Sequence, residues 1–400
     1  MKSNRWIPAI AGTLILLFAG LVYAWSILSV PIAAEFTHWT QAQLSLTFTL
    51  VMIFFCLGGL AGGLLAGKLK PQLSVAGGGL LFLAGFLLAS RIQTPAGLYL
   101  TFGILCGFAS GIVYNAVMST VGRWFPDRPG LISGILLMGF GFSAFLIGKA
   151  YQAWTPDRIG GWRTSFVVMG IAVCAVLVLC APLIRRPGPD FQAPAAVKKQ
   201  TGADLTTGQM LRSGDFWLYY VWTILLVGAG LVLVSQGSGI ASRVGTNVSP
   251  SAIATTVGMI SVFNGVGRVI IGQLFDRVGR RRTMELDNLL FVLSGLLLVL
   301  ATVLGSYALV VVGFILGGMA YGGVPTISSA FVSARYGRKH YPVNFPLINT
   351  NLIISSVGST VAGALYDATG SFLSCCWLII GLAAVSFLFA AGITLLERKQ

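Results

Sequence analysis

Charge is what this sequence has least of: only 9% of its 400 residues are Asp, Glu, Lys or Arg, while 56% are hydrophobic. So few charges cannot keep a soluble globular surface wet, which excludes water as the main solvent of the folded chain. Acids are scarcer still, with 11 Asp and Glu against 26 Lys and Arg, and there are two histidines, His38 and His340, both in or beside loops. No apolar run contains a nucleophile, a base and a carboxylate together, so the chain is not expected to be an enzyme. The six cysteines fall in apolar runs without metal-type spacing and read as small buried hydrophobes, so no metal or other cofactor is expected.

What is abundant is apolar sequence in lengths of roughly 20 residues, the length that crosses a hydrocarbon core. Twelve such spans are predicted, at 6–32, 41–67, 73–90, 97–121, 130–152, 163–184, 216–238, 251–275, 284–304, 307–331, 343–366 and 373–395. The fold class implied is an all-α, multi-pass membrane protein. Lys2 and Arg5 before the first span mimic a signal peptide, but that span is long and followed by others, so it is expected to be retained.

The net charge of +15 is explained by its placement. With the N-terminus inside, 20 of the 26 Lys and Arg fall in inner segments, 5 in outer segments and one, Arg268, inside a span. This asymmetry places both termini in the cytoplasm, predicts the cell inner membrane as the location, and accounts for the basic balance without a nucleic-acid partner.

The polar stretch from Arg185 to Asp215, rich in Pro, Lys and Gln, divides the spans six and six. The expected organisation is a six-helix half over 1–184, a cytoplasmic linker over 185–215 and a second half over 216–400. Ala19-Gly20-Leu21-Val22 recurs as Ala229-Gly230-Leu231-Val232, and Gly63 to Lys68 aligns with Gly272 to Arg277 at an offset of 209. Two parallel six-helix repeats with substrate near the midplane form an architecture used by many secondary transporters.

Arg268 stands eight residues before Asp276 at the end of the eighth span, so at ~1.5 Å per residue its Cα lies roughly 12 Å inside the membrane edge. A cation there costs on the order of 3 kcal/mol unless it meets water, a partner or an anion. The available acids, Asp276, Asp287 and Glu35, are expected at helix ends, so the partner is expected to be imported, a small organic anion. Ser261 and Asn264 lie on the same helix face, and a guanidinium fork matches a carboxylate. The alternative is that Arg268 snorkels to the cytoplasmic surface or bonds backbone carbonyls at a helix break. Tyr23, Tyr114 and Tyr321 lie well within spans one, four and ten; donation to a bound carboxylate and ordinary core packing both fit them.

Gly272-Gln273-Leu274-Phe275-Asp276-Arg277-Val278-Gly279-Arg280-Arg281-Arg282 closely resembles the cytoplasmic loop motif of the major facilitator superfamily. The resemblance makes Asp276, Arg277 and Arg280 gating residues rather than substrate ligands. The N-terminal copy has Gly67 in place of the acid, so a lopsided gate is expected. Tyr23-Ala24-Trp25-Ser26, Arg123-Trp124-Phe125-Pro126-Asp127-Arg128-Pro129-Gly130 and Asn264-Gly265-Val266-Gly267-Arg268 together resemble the oxalate/formate antiporter family and related monocarboxylate transporters, over nearly the whole chain. That resemblance implies substrate contacts at Arg268, Tyr23, Tyr114 and Tyr321, with Asn264 beside the arginine.

Two departures narrow the expectation. The oxalate carriers have a lysine in the eleventh span, where this chain offers Asn344, Asn349 and Asn351; one arginine balances one charge, which favours a monocarboxylate. Animal monocarboxylate carriers have an aspartate four residues before the arginine, where this chain has Asn264, leaving the proton-carrying group unassigned. The expected function is lactate-like monocarboxylate transport, proton-linked, by a monomer in the bilayer, with obligate anion exchange as the alternative.

Overall fold

The computed structural model describes residues 4–156, 158–188, 191 and 204–398. Part of the predicted linker, with Lys198 and Lys199, lies outside the described residues, as do Lys2 and Lys399.

The described chain is helical throughout its apolar runs, as backbone donors and acceptors in a hydrocarbon solvent must be satisfied within the segment. Helices α1 (Trp6–Glu35), α2 (Gln43–Leu65), α3 (Pro71–Ala89), α4 (Pro95–Trp124), α5 (Pro129–Trp154) and α6 (Gly161–Leu183) are followed by α7 (Gly214–Val244), α8 (Pro250–Leu304) and α9 (Tyr307–Arg335). Three short helices come next, α10 (Tyr341–Asn349), α11 (Asn351–Ser355) and α12 (Val357–Thr369), and then α13 (Leu373–Arg398). Ten helices among the described residues are long and apolar enough to cross a membrane.

Local signals set the starts. Proline opens α3, α4, α5 and α8, where its missing N–H is not needed. Thr40 and Gln43 form a reciprocal capping box at the start of α2, with Gln43 N donating to Thr40 Oγ1 at 3.2 Å and Thr40 N donating to Gln43 Oε1 at 2.9 Å.

Two elements depart from the sequence reading. The spans expected at 251–275 and 284–304 are two helical arms of α8 joined directly at a kink. The single break is Gly279, at φ 80°, a left-handed conformation that a side chain would strain. Two arms of α8 therefore meet at Gly279 with no loop between them. Conversely, the span expected over 343–366 is divided into α10, α11 and α12. Pro346 removes one backbone donor within α10, and the Asn351 side chain takes the Ile348 carbonyl at 2.5 Å.

Two compact units are present. The first comprises Met1–Asp127, Ile135–Asp204 and Gly337–Leu347; the second comprises Arg128–Gly134, Leu205–Tyr336 and Ile348–Gln400. In the first, α2 and α4 approach backbone to backbone: a Cβ on Gly58 would strike the Phe108 carbonyl, one on Gly111 the Phe55 carbonyl, and one on Gly107 the backbone of Val51. In the second, the first arm of α8 meets α9 in the same manner, with Gly267 against the Met319 carbonyl, Gly318 against Ile260 and Gly322 against the Asn264 carbonyl. Small residues at such interfaces permit the van der Waals contact that drives helix association where no hydrophobic effect operates.

Candidate functional site

The second unit brings three of the expected site residues together. Arg268, half-buried on the first arm of α8, donates from Nε to Asn264 Oδ1 at 3.0 Å, one helical turn back. Asn264 is 9% exposed, so its amide is a fixed acceptor rather than a solvated one. The backbone beneath is clamped on two sides: Gly267 rests on the Met319 carbonyl, and Gly134 rests on the Arg268 carbonyl itself. Tyr321, on α9, has Arg268 within its electrostatic reach and lays its ring on α7 at Gly230, where any Cβ would collide with it. A guanidinium oriented through Nε presents its planar fork in a set direction, the geometry suited to a carboxylate.

The first unit brings Tyr23 and Tyr114 into one aromatic cluster. Tyr23 sits in the 3₁₀ stretch Gly20–Ala24 of α1, and its ring lies 5.3 Å from Phe140 and 6.5 Å from Phe55, both edge-on. Tyr114, on α4, lies 5.1 Å from each of Phe55 and Phe140 and stacks on Phe345 at 5.9 Å. Edge-to-face pairs of this kind fix ring orientation beyond simple burial. Nearby, Asn115 Nδ2 donates to the Gly59 and Pro342 carbonyls at 2.9 and 2.8 Å, tying α2, α4 and the start of α10.

The loop-motif residues have distinct surroundings. The Asp276 carboxylate accepts from Gly130 N at 2.8 Å and Leu131 N at 2.7 Å, capping the first turn of α5, where unsatisfied N–H groups and the helix dipole favour a negative charge. Arg280 pairs with Glu397 of α13 and donates to Thr394 Oγ1 at 3.3 Å. Arg277 is exposed. In the N-terminal copy Gly67 has open space around it, and Arg186 donates to the Ala66 carbonyl.

One acid is not where the sequence reading put it. Asp287, expected at a helix end, lies two turns past Gly279 in the second arm of α8 and is fully buried, with neither carboxyl oxygen hydrogen-bonded among the described residues. The helix restarts directly at Gly279, five residues before the expected span begins, so one basic turn, Arg280 to Arg282, precedes the acid and the helix carries it inward. The motif itself carried a usable signal: a glycine within Asp276-Arg277-Val278-Gly279-Arg280 is the break, and counting from it would have placed Asp287 on the third turn.

A family model described as Major Facilitator Superfamily matches residues 10–351 and 246–400. The chain is 26% identical over 355 residues to the oxalate:formate antiporter of Oxalobacter formigenes, covering 85% of this chain and 81% of that protein. It is 28% identical over 317 residues to monocarboxylate transporter 13 of Bos taurus, covering 79% and 72%. Among solved structures, the fucose:proton symporter of E. coli shares the fold at a TM-score of 0.70 and 16% identity, covering 98% of this chain and 99% of that one.

Proposed function

The chain belongs to the Major Facilitator Superfamily, and from that premise we propose that it carries lactate-like monocarboxylates across the cell inner membrane together with protons. It is a multi-pass membrane transporter and not an enzyme. On this reading twelve spans form two halves, 1–184 and 216–400, joined by a linker over 185–215, with both termini cytoplasmic and the monomer as the working form.

The observation that carries the reading is the Arg268 guanidinium, set inside an apolar helix and steered through Nε by Asn264 Oδ1 at 3.0 Å. Its fork binds the substrate carboxylate, with Tyr321 beside it and Tyr23 and Tyr114 supplying aromatic walls. A single cation balances a monoanion; a dianion would bring a second charge into a low-dielectric site, and α10 and α11 offer Asn344, Asn349 and Asn351 rather than a lysine. Binding sets the substrate carboxylate against the Arg268 guanidinium before the cavity closes by alternating access. Asp276, Arg277 and Arg280 act at the gate, Asp276 by holding and releasing the first turn of α5.

Obligate anion exchange is the second reading, favoured by the similarity to the oxalate:formate antiporter. Proteoliposomes separate the two. Radiolabelled lactate, pyruvate, formate, acetate and oxalate are offered to empty vesicles with an imposed pH gradient. Concentrative uptake of a monocarboxylate into empty vesicles supports proton-linked transport, and uptake only into preloaded vesicles establishes exchange. Transport of none of these acids would sink the carboxylate reading.

A further inference from the structure

Asp287 is an acid the transport reading leaves unused, and its surroundings are unusual. Both oxygens are buried without a hydrogen-bond partner among the described residues. A carboxylate kept ionised in such a place is costly and takes up a proton readily.

The groups packed around it are these. From α7 comes Tyr219, which has Asp287 within its electrostatic reach and whose hydroxyl donates to Ser328 Oγ at 3.0 Å, while the residue after Asp287, Asn288, accepts from Trp222 of α7 at 2.9 Å. From α9 comes Gly323, where a Cβ would collide with Asp287 Oδ1. Arg280, two turns back on the same arm, and Tyr336 at the end of α9 are also within reach of Tyr219, and Arg280 is committed to Glu397 of α13.

The fold does not require an acid here. Aligning the repeats at the offset of 209 puts Gly78 of α3 opposite Asp287, and Gly78 simply makes room for Val113 of α4. A feature that one copy of the same helix packing does without is not explained by packing.

Asp287 is also joined to the substrate arginine through α9. Gly322 lies on the backbone carbonyl of Asn264, the residue that orients Arg268, and the next residue, Gly323, lies on the Asp287 carboxyl. With no Cβ on either side, any shift of this two-residue step at the arginine is felt at the acid.

Resting on the proton-linked reading above, we propose that Asp287 is the proton-carrying group, taking up one H⁺ for each monocarboxylate that binds at Arg268. The charges balance. The empty carrier holds Arg268 as a cation and Asp287 as a carboxylate; the loaded carrier holds the cation, the substrate anion and the neutral Asp287 acid. Both forms present zero net charge from these groups, so both can cross between access states, while a carrier holding the anion alone or the proton alone carries one uncompensated charge and is held back.

The test is Asp287→Asn in proteoliposomes, read by two assays on one preparation. Uptake driven by an imposed pH gradient should fall at least tenfold, while counterflow of labelled lactate against internal lactate, which needs no net proton movement, should fall by no more than about twofold. Retained counterflow also certifies the variant as folded. An Asp287→Asn protein that responds to the gradient as the unaltered chain does would overturn the assignment and leave the transport reading standing. An unaltered chain that exchanges lactate but ignores the gradient would instead overturn the proton-linked reading and this assignment with it. A second readout is independent of the variant's folding: the infrared carbonyl band of a buried neutral carboxylic acid should appear in the unaltered protein on lactate addition. Its absence counts against Asp287 whatever the variant does.

Discussion

The pair α2 with α4 and the pair formed by the first arm of α8 with α9 are built on one plan and filled with different chemistry. Gly58 on Phe108, Gly107 on Val51 and Gly111 on Phe55 match Gly267 on Met319, Gly318 on Ile260 and Gly322 on Asn264, at constant offsets of 209 for one helix and 211 for the other. The backbones therefore touch at equivalent points. At the matched side-chain positions, however, the first pair has Phe55, Gly59 and Ser110 where the second has Asn264, Arg268 and Tyr321. Ser110 Oγ donates to the Ala19 carbonyl of α1, and Tyr321 lies on Gly230 of α7, so even the third-helix contact is repeated. Packing is conserved between the copies, and polarity is not. Helix association needs only small residues and steric fit, so one copy is free to carry a charge where the other has Gly59 beside the aromatic Phe55.

The sharpest way to break this division of labour is Arg268→Ala. If charge recognition resides in the second pair alone, uptake should fall by at least about a hundredfold, as expected when a charged group is left without its partner, while the protein stays folded by size-exclusion chromatography. Arg268→Lys should be nearly as severe, because a point charge does not reproduce the fork. Transport by the Ala variant at the normal rate would refute the site.

The shared packing is tested by Gly58→Val and Gly267→Val. Each drives a side chain into a facing carbonyl, and each should cost about 1 to 3 kcal/mol in thermal or denaturant unfolding in detergent, by similar amounts if the two interfaces are equivalent. A large inequality between them would break the equivalence.

The two loop copies differ at Asp276 and Gly67, so Asp276→Asn should slow turnover roughly tenfold with the half-saturating concentration changed little. The corresponding change of Gly67, which has open space around it, should have no such effect. A smaller consequence is expected for Asn264→Ala, which frees the guanidinium to wander: half-saturation should rise several-fold, about 1 kcal/mol for one hydrogen bond to a charged group. Smallest is Tyr321→Phe, where the ring still packs on Gly230 and only the hydroxyl is lost, for a change of about twofold to fivefold in half-saturation.

Much of the second pair was legible beforehand. Asn264 and Arg268 are four residues apart, so any helix puts them on one face, and the hydrogen bond between them follows from local geometry alone. Asp276 as a motif acid was also readable, but its donors, Gly130 N and Leu131 N, belong to a segment far away in the chain, and nothing in the motif names them. The apolar pattern over 343–366 hid three helices, because a window of hydrophobicity averages over Pro346 and the asparagines that interrupt it. It also suggested a loop between 275 and 284 that is absent, since a basic helix end and a basic loop look alike in composition.

By itself, the sequence determined the solvent, the repeat and the presence of a cation inside a helix. All three follow from local composition and from spacing along one chain, and hydrocarbon leaves a polypeptide few ways to arrange its backbone. The fate of Asp287 was decided only by tertiary structure. Whether a carboxyl two turns into a helix meets water, a base or nothing depends on what the neighbouring helices present to it, and here they present Gly323 and the already bonded Tyr219. Burial is a property of the surroundings, and those are contributed by residues that the acid's own stretch of sequence does not contain.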